Sequence, residues 1–422
     1  MSLRGGHVDK HDHMSNELRV LTEPDWKAWL DALEWAFGGL HDAPEEQQLW
    51  RDLLDFDRSF GLWDGDRPVG TFGTLAMEVT VPGGTALAAA GVTTVSVAAT
   101  HRRRGVLRSM MRRALDTYRE SGEPLAILTA SEPAIYGRFG FGAATQSLAA
   151  DIEIHRVGLD LPAGVDDIAL SVAEPAAVAG RCEELYARLA RTRPGMFPRQ
   201  PGWERLPLLD PPQDRAGASE QRYVLAERDG ELAGYARYAL KPEWEAAGAK
   251  GTVIVRDLEA ADPAAYGALL RYLSGIDLMS TLSLANRPVD DAFLHMVSDV
   301  RRARTRVQDR LYLRPMDVGA ALAGRTYATE VDVVLDVSDA SCPWNEGRWR
   351  LSGGPKGAVC EPTADAADLA LPVAALGAAY LGGTSLAALA AAGRVEELRP
   401  GALARAATAF TSPLAPWMPH GF

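Results

Sequence analysis

Between Val92 and Phe141 the apolar residues change period along the chain, and each change marks an element. Val92-Thr93-Thr94-Val95-Ser96-Val97 is a β-branched, alternating run that predicts a strand. After the polar turn His101-Arg102-Arg103-Arg104-Gly105, the residues Leu107, Met111, Ala114, Leu115 and Tyr118 recur at three- and four-residue spacing. Arg108, Arg112, Arg113, Asp116 and Arg119 take the other face, so an amphipathic helix is predicted, closed by Ser121-Gly122. A second apolar strand follows from Leu125 to Ala130. Ser131-Glu132-Pro133 then reads as the cap and first turn of a short helix carrying Tyr136.

The same patterning organises the rest. Thr22-Glu23-Pro24-Asp25 opens a helix with Trp26, Trp29, Leu30, Leu33 and Phe37 at helical spacing, ended by Gly38-Gly39. Strands are predicted at Phe60 to Trp63 and Val69 to Val81, joined by the hairpin turn Asp64-Gly65-Asp66, and a further strand at Ser147 to Ile154. From residue 151 the theme returns: a hairpin of Tyr223 to Glu227 and Ala233 to Leu240, a strand Thr252 to Leu258, and a helix from Pro263. Between that strand and helix stands Glu259-Ala260-Ala261-Asp262-Pro263, which lacks glycine and arginine and would repel a phosphate. Beyond about residue 317, strands (Glu330 to Val337, Gly347 to Leu351) precede Ala-rich helices, an α+β pattern. The uncharged stretch Leu369 to Gly393 is interrupted by Pro372, Gly382-Gly383 and Thr384-Ser385, which predicts two packed helices around a turn and no membrane span.

Length adds that the 422 residues form two or three domains, since single cores rarely grow past about 250 to 300 residues. The net charge of −12, from 56 acidic and 44 basic residues, disfavours nucleic acid as a partner and favours small cations. Arg301-Arg302-Ala303-Arg304-Thr305-Arg306 lacks interleaved aromatics and sits beside Asp299 and Asp309, so it reads as a solvated ion-pair strip. Cys182, Cys342 and Cys360 are widely spaced, without a metal-ligand pattern, and are expected as reduced core thiols in the cytoplasm. Residues 1–18 are polar, with no secretory signal.

Against that acidic background the basic turn at Arg102 to Gly105 carries the chemistry. A helix start presents unpaired N–H groups and the positive end of its dipole, Gly105 permits close approach, and the arginines offer forked donors; together these suit a pyrophosphate. The nucleotide P-loop's Gly-Lys-Ser/Thr and the three-glycine dinucleotide fingerprint are both missing. Arg102-Arg103-Arg104-Gly105-Val106-Leu107 resembles the coenzyme A loop Arg-x-x-Gly-x-Gly/Ala of the GCN5-related N-acetyltransferases, departing from it at Leu107. Tyr136-Gly137-Arg138-Phe139-Gly140-Phe141 is similar to the aromatic and Gly-Phe pair which that superfamily places after its next strand. His-Arg-Arg-Arg-Gly, Ala130-Ser131-Glu132 and Ile135 to Gly140, at this spacing in a chain ending in Phe, resemble the Eis (enhanced intracellular survival) acetyltransferases of actinobacteria.

The resemblance implies an α/β (α+β) chain of tandem acetyltransferase folds, the second degenerate and without cofactor, followed by a sterol-carrier-protein-like α+β domain. The expected divisions are a flexible extension at 1–18, a catalytic acetyl-CoA domain at 19–150, the second fold at 151–300, and 301–422 for a connecting strand and the last domain. It further implies an acetyl-CoA-dependent, metal-free N-acetyltransferase acting on cationic multi-amine acceptors such as aminoglycosides, assembled as a homohexamer. Two other readings stand beside this: a protein lysine acetyltransferase, and an apolar-ligand carrier, against which the intact basic turn and Tyr136 weigh.

By the same resemblance, backbone groups of Val95 and Val97 are expected to pair with the pantetheine arm, and Arg102, Arg103, Gly105 and Val106 to hold the pyrophosphate. Tyr136 stands where the superfamily has its general acid, and the terminal carboxylate of Phe422 where the Eis family has its base, with His420 as the other candidate. Ser131 is either a cofactor ligand or a helix cap; His101 is assigned to structure. Trp35 and Phe37 either contact the acceptor or belong to an aromatic core. Gly39 takes the place of the family's Asp after the Phe, leaving Asp42 as the nearest carboxylate.

Overall fold

The computed structural model describes residues 16–422. The expected N-terminal extension lies outside them up to residue 15, but residues 16–18 open the strand β1 (Asn16–Val20), so the first sheet starts before residue 19. Next come α1 (Trp26–Ala36), α2 (Pro44–Leu53), β2 (Phe60–Asp64), β3 (Arg67–Thr80), β4 (Ala86–Val97), α3 (Val106–Ser121) and β5 (Leu125–Thr129). The sheet runs β1-β2-β3-β4-β5, then Leu311–Pro315, then Gly142–Ala143. Its neighbours are antiparallel except β4 and β5, which α3 joins by a crossover and which therefore run parallel. Alternation on β5 divides the core: Ala126 and Leu128 face the α3 side with Met110, Met111, Ala114, Leu115 and Tyr118, whereas Leu125 and Ile127 face the side of Trp29 and Leu30 from α1.

The strand Gln146–Glu153 leaves this sheet and joins the second one, whose order is Arg306–Asp309, Gln146–Glu153, Met279–Arg287, Gly251–Ala260, Glu231–Lys241, Arg222–Arg228, Ala169–Ala173. Again the one parallel pair of the sheet, Gly251–Ala260 with Met279–Arg287, is bridged by a helix, Pro263–Ser274. Leu311–Pro315 returns to the first sheet, so the two folds exchange strands. The two crossings touch where Thr145 accepts from the Arg310 N–H (3.0 Å) through its carbonyl and from the Leu311 N–H (3.0 Å) through its hydroxyl.

The last domain is a five-stranded sheet, Gly357–Pro362, Gly347–Gly354, Val331–Ser338, Leu369–Pro372 and Glu396–Glu397, backed by helices. The stretch read as two helices begins as the strand Leu369–Pro372; the helices are Val373–Ala379 and Leu386–Ala391, with Gly382 (φ +88) in the turn. No helix among the described residues is long and apolar enough to cross a membrane. The three cysteines are buried free thiols. The arginine run is an ion-pair strip: Arg304 pairs with Glu153 at 2.5 Å and Arg306 with Asp151 at 2.8 Å.

Candidate active site

β4 and β5 pair only from Ala89 to Val92 and from Leu125 to Leu128, then part. The cause is in β4 itself: its register against β3 shifts between Thr71 and Gly73, and Thr94 takes φ +50, a left-handed conformation rare for a β-branched residue. The Thr71 hydroxyl holds the bulge by donating to the Thr94 carbonyl at 2.7 Å. Where the strands diverge a cleft of about 650 Å³ opens, with Val95, Ser96 and Val97 on one wall, Ser131, Ile135 and Tyr136 on the other, and the turn Arg102–Leu107 at its end.

That turn leaves the start of α3 free. Gly105 is the residue before the helix at φ +82, a Cβ there would meet nothing within 4 Å, and no acidic side chain lies in the first turn. The N–H groups therefore face the cleft without an internal partner, beside the exposed Arg102 and Arg103, the latter itself left-handed at φ +62. His101 is 7% exposed; its Nδ1 lies 2.9 Å from the Thr100 hydroxyl and its Nε2, without a hydrogen bond, lies 3.9 Å from the Asp64 carboxylate. An open, cationic helix start is the donor set a pyrophosphate requires.

Tyr136 lies between two 3₁₀ turns, Pro133–Ile135 and Gly137–Phe139, and not in a regular helix. Ser131 does not cap them: Glu132 is the residue before the first turn, and its side chain makes no capping bond. Ser131 instead lines the cleft. The turn is held from below by the buried Arg314, which donates to the Phe139 carbonyl and pairs with the buried Asp339 at 2.5 Å. Burial, with Glu132 nearby, pushes the Tyr136 phenol above its usual range, so it keeps its proton at neutral pH.

A second cavity of about 560 Å³ meets the first at Phe37, Val95, Ser131 and Tyr136. Its wall includes Glu34, Asp42, Arg310 and Phe422. Phe422 is thus brought across more than 280 residues of chain to the mouth of the β4–β5 divergence. Phe37 is 61% exposed on the cavity wall, so the aromatic-core reading fails for it. Trp35, 78% exposed, lines neither cavity and is not core either. Sequence reasoning missed Glu34, which is 5% exposed on the inner face of α1, bonded to His41 and accepting from the Asp42 N–H (3.1 Å) and Gln47 Nε2 (2.9 Å). The available signal was a carboxylate four residues after Leu30 on an otherwise apolar face. Asp42, partly desolvated and near Glu34, is pushed above the usual carboxylate range. Arg310 Nε is buried without a hydrogen-bond partner.

The tail that delivers Phe422 is fastened throughout. Trp417 and Met418 are buried, the Trp417 N–H donates to the Pro194 carbonyl at 2.9 Å, and Phe422 packs edge-on to Phe197 at 5.6 Å. His420 sits among the rings of Tyr186, Phe197 and Trp203, with Nε2 accepting from Arg199 Nε at 3.4 Å. Burial, reinforced by the Arg199 charge, lowers its pKa to about 3, so the ring is neutral, and it lies outside the second cavity. His420 thus packs within the tail's aromatic cage, apart from the second cavity.

A mixed sheet whose one parallel pair is joined by a crossover helix and then diverges is the acetyltransferase architecture; the sheet is present twice, the basic turn that opens the helix only in the first fold. Models of the acetyltransferase (GNAT) domain match residues 17–144 and 195–315, and a sterol carrier protein domain model matches 318–419. An uncharacterized N-acetyltransferase of Streptomyces avermitilis is 59% identical over 409 residues, covering 97% of this chain and 100% of that one. The N-acetyltransferase Eis of Mycobacterium tuberculosis is 35% identical over 404 residues, 93% of this chain and 96% of that one. The crystal structure of Eis1 from Mycobacterium abscessus superposes with a TM-score of 0.81 at 33% identity, covering 96% and 100%. The fold and cleft thus define an N-acetyltransferase of the GCN5-related class. The chain belongs to the Eis family within it.

Proposed function

We propose that the enzyme uses acetyl-CoA to acetylate amines of cationic multi-amine acceptors such as aminoglycosides, at more than one position. The observation that carries this is the meeting of two cavities at Tyr136: one ends at a cationic helix start, and the other holds Glu34, Asp42 and the chain end at Phe422. The cosubstrate supplies the acyl thioester. Arg102 and Arg103, with the N–H groups from Gly105 and Val106, hold its pyrophosphate; backbone groups of Val95 and Val97 extend β4 along its pantetheine arm; Ser131 lies within the same wall. The Phe422 carboxylate, ionised at neutral pH, takes the proton of the acceptor ammonium or amine, directly or through water. Tyr136 gives its proton to the departing sulfur. Phe37 and the acidic wall receive the remaining charge of the acceptor.

Turnover measured against aminoglycosides, simple diamines and a lysine-containing peptide, with products weighed by mass spectrometry, tests this reading. Multiply acetylated aminoglycoside supports it. Rapid acetylation of the peptide alone moves the substrate to protein lysines. On the family resemblance we also propose a homohexamer, which light scattering checks.

A further inference from the structure

The two acetyltransferase folds differ in what fills the place where their parallel strands part. In the first, β4 and β5 separate after Val92 and Leu128, and the space beyond is the cleft. In the second, Gly251–Ala260 and Met279–Arg287 separate after Val255 and Leu284. Counted from the last paired residue, Asn286 and Arg287 stand where Ala130 and Ser131 stand in the first fold. The chain's own tail lies against them.

The contacts are those of a bound peptide segment. Asn286 Nδ2 donates to the carbonyls of Met418 (3.0 Å) and Pro419 (2.8 Å), and its Oδ1 accepts from Trp417 Nε1 (3.3 Å). The Arg287 guanidinium lies over the Trp417 ring at 5.1 Å, anchored beneath by Asp291 at 2.7 Å. Asp290 accepts from the Ala415 N–H at 2.8 Å, and Arg193 bridges Asp290 and the Ala415 carbonyl at 2.6 and 2.7 Å. Every polar atom of the Asn286 amide is committed to the tail, although nothing within its own sheet demands an amide there. Two of its bonds fix adjacent carbonyls three and four residues before the chain end, which leaves Phe422 few conformations with which to enter the acceptor cavity.

We infer that the second fold is the docking site of the C-terminal segment, and that Asn286 is the residue that positions the Phe422 carboxylate for the reaction. This rests on the reading of that carboxylate as the base. Asn286 touches neither acceptor nor cosubstrate; it acts through the tail.

The test replaces Asn286 by Ala in the full chain and takes three readings. kcat is expected to fall at least tenfold, the dissociation constant of acetyl-CoA to stay within twofold, and the terminal Phe to be released several-fold faster by carboxypeptidase, followed by mass spectrometry. Asp290→Asn, which loosens the tail at Ala415, gives a second variant with the same direction should the first fold poorly. Unchanged release of Phe422 overturns the docking role, and faster release with unchanged kcat overturns the positioning role. A joint fall of melting temperature, cosubstrate affinity and kcat reduces Asn286 to a packing residue and also overturns it. The release assay needs no turnover, so it stands even where deletion of Phe422 shows that the base lies elsewhere.

Discussion

Gly105 and Asp262 hold the same place in the two acetyltransferase folds, the residue before the crossover helix, and dispose of its N–H groups in opposite ways. Gly105, at φ +82, leaves them open to the cleft, whereas Asp262 accepts from the Ala264 and Ala265 N–H groups and pairs with Arg228 at 3.0 Å. A carboxylate that already satisfies the helix start excludes a phosphate from it. One acetyl-CoA per chain is therefore expected. Calorimetry should give a stoichiometry of one, and Arg102→Ala with Arg103→Ala should raise the dissociation constant at least tenfold, from lost contacts of roughly 1.5 to 3 kcal/mol each. A stoichiometry of two would reverse the assignment of the folds.

Tyr136→Phe should lower kcat by about 10² with acetyl-CoA affinity nearly unchanged, because the proton is needed only as the sulfur departs. Since burial raises the phenol above its usual range, the wild-type enzyme should show no alkaline loss of kcat from this group below about pH 10. An ordinary buried tyrosine would show up instead as a lower melting temperature with intact kinetics.

His420 makes a stability prediction. Its pKa is about 3 in the folded chain against about 6.5 unfolded, so between these values the unfolded state binds the extra proton and stability falls as pH falls. The slope from this group is at most about 1.4 kcal/mol per pH unit. His420→Leu should therefore lose less melting temperature than the wild type between pH 7 and pH 5; Glu259, whose burial raises it to about 7, is common to both chains and cancels. An identical pH dependence would show that the ring is not enclosed in solution.

Arg314→Met should destabilise the protein by roughly 3 to 5 kcal/mol, because Asp339 would remain buried without its partner. As Arg314 also holds the Phe139 carbonyl, three residues after Tyr136, kcat should fall further than stability alone explains. Retained activity at low temperature would separate the pair from the turn that carries Tyr136.

The turn at Arg102 to Gly105 and α3 were legible because each is set by local sequence: a period change, an amphipathic face, a glycine at positive φ. What stayed hidden depends on contacts far along the chain. Nothing local to Gln146–Glu153 or Leu311–Pro315 says that each joins the other fold's sheet; that follows from the crossing at Thr145 and Arg310. Glu34 was invisible because its burial is justified by His41 and Gln47, which α2 and its preceding loop bring to it. His420 was ambiguous for the same reason: its cage comes from residues 186 to 203. Ser131 looked like a cap from spacing alone, yet the segment after it winds as 3₁₀ turns and leaves that serine on the cleft wall.

The proposed reaction depends most directly on the carboxylate of Phe422. Turnover of an aminoglycoside should be measured for the wild type, for the chain lacking Phe422, and for a chain extended by a few residues beyond it, with folding and acetyl-CoA affinity checked in each. The expected result is loss of acetylation in both variants, with folding and cosubstrate binding preserved. An extended enzyme that turns over at the wild-type rate would show that the Phe422 carboxylate is not the base.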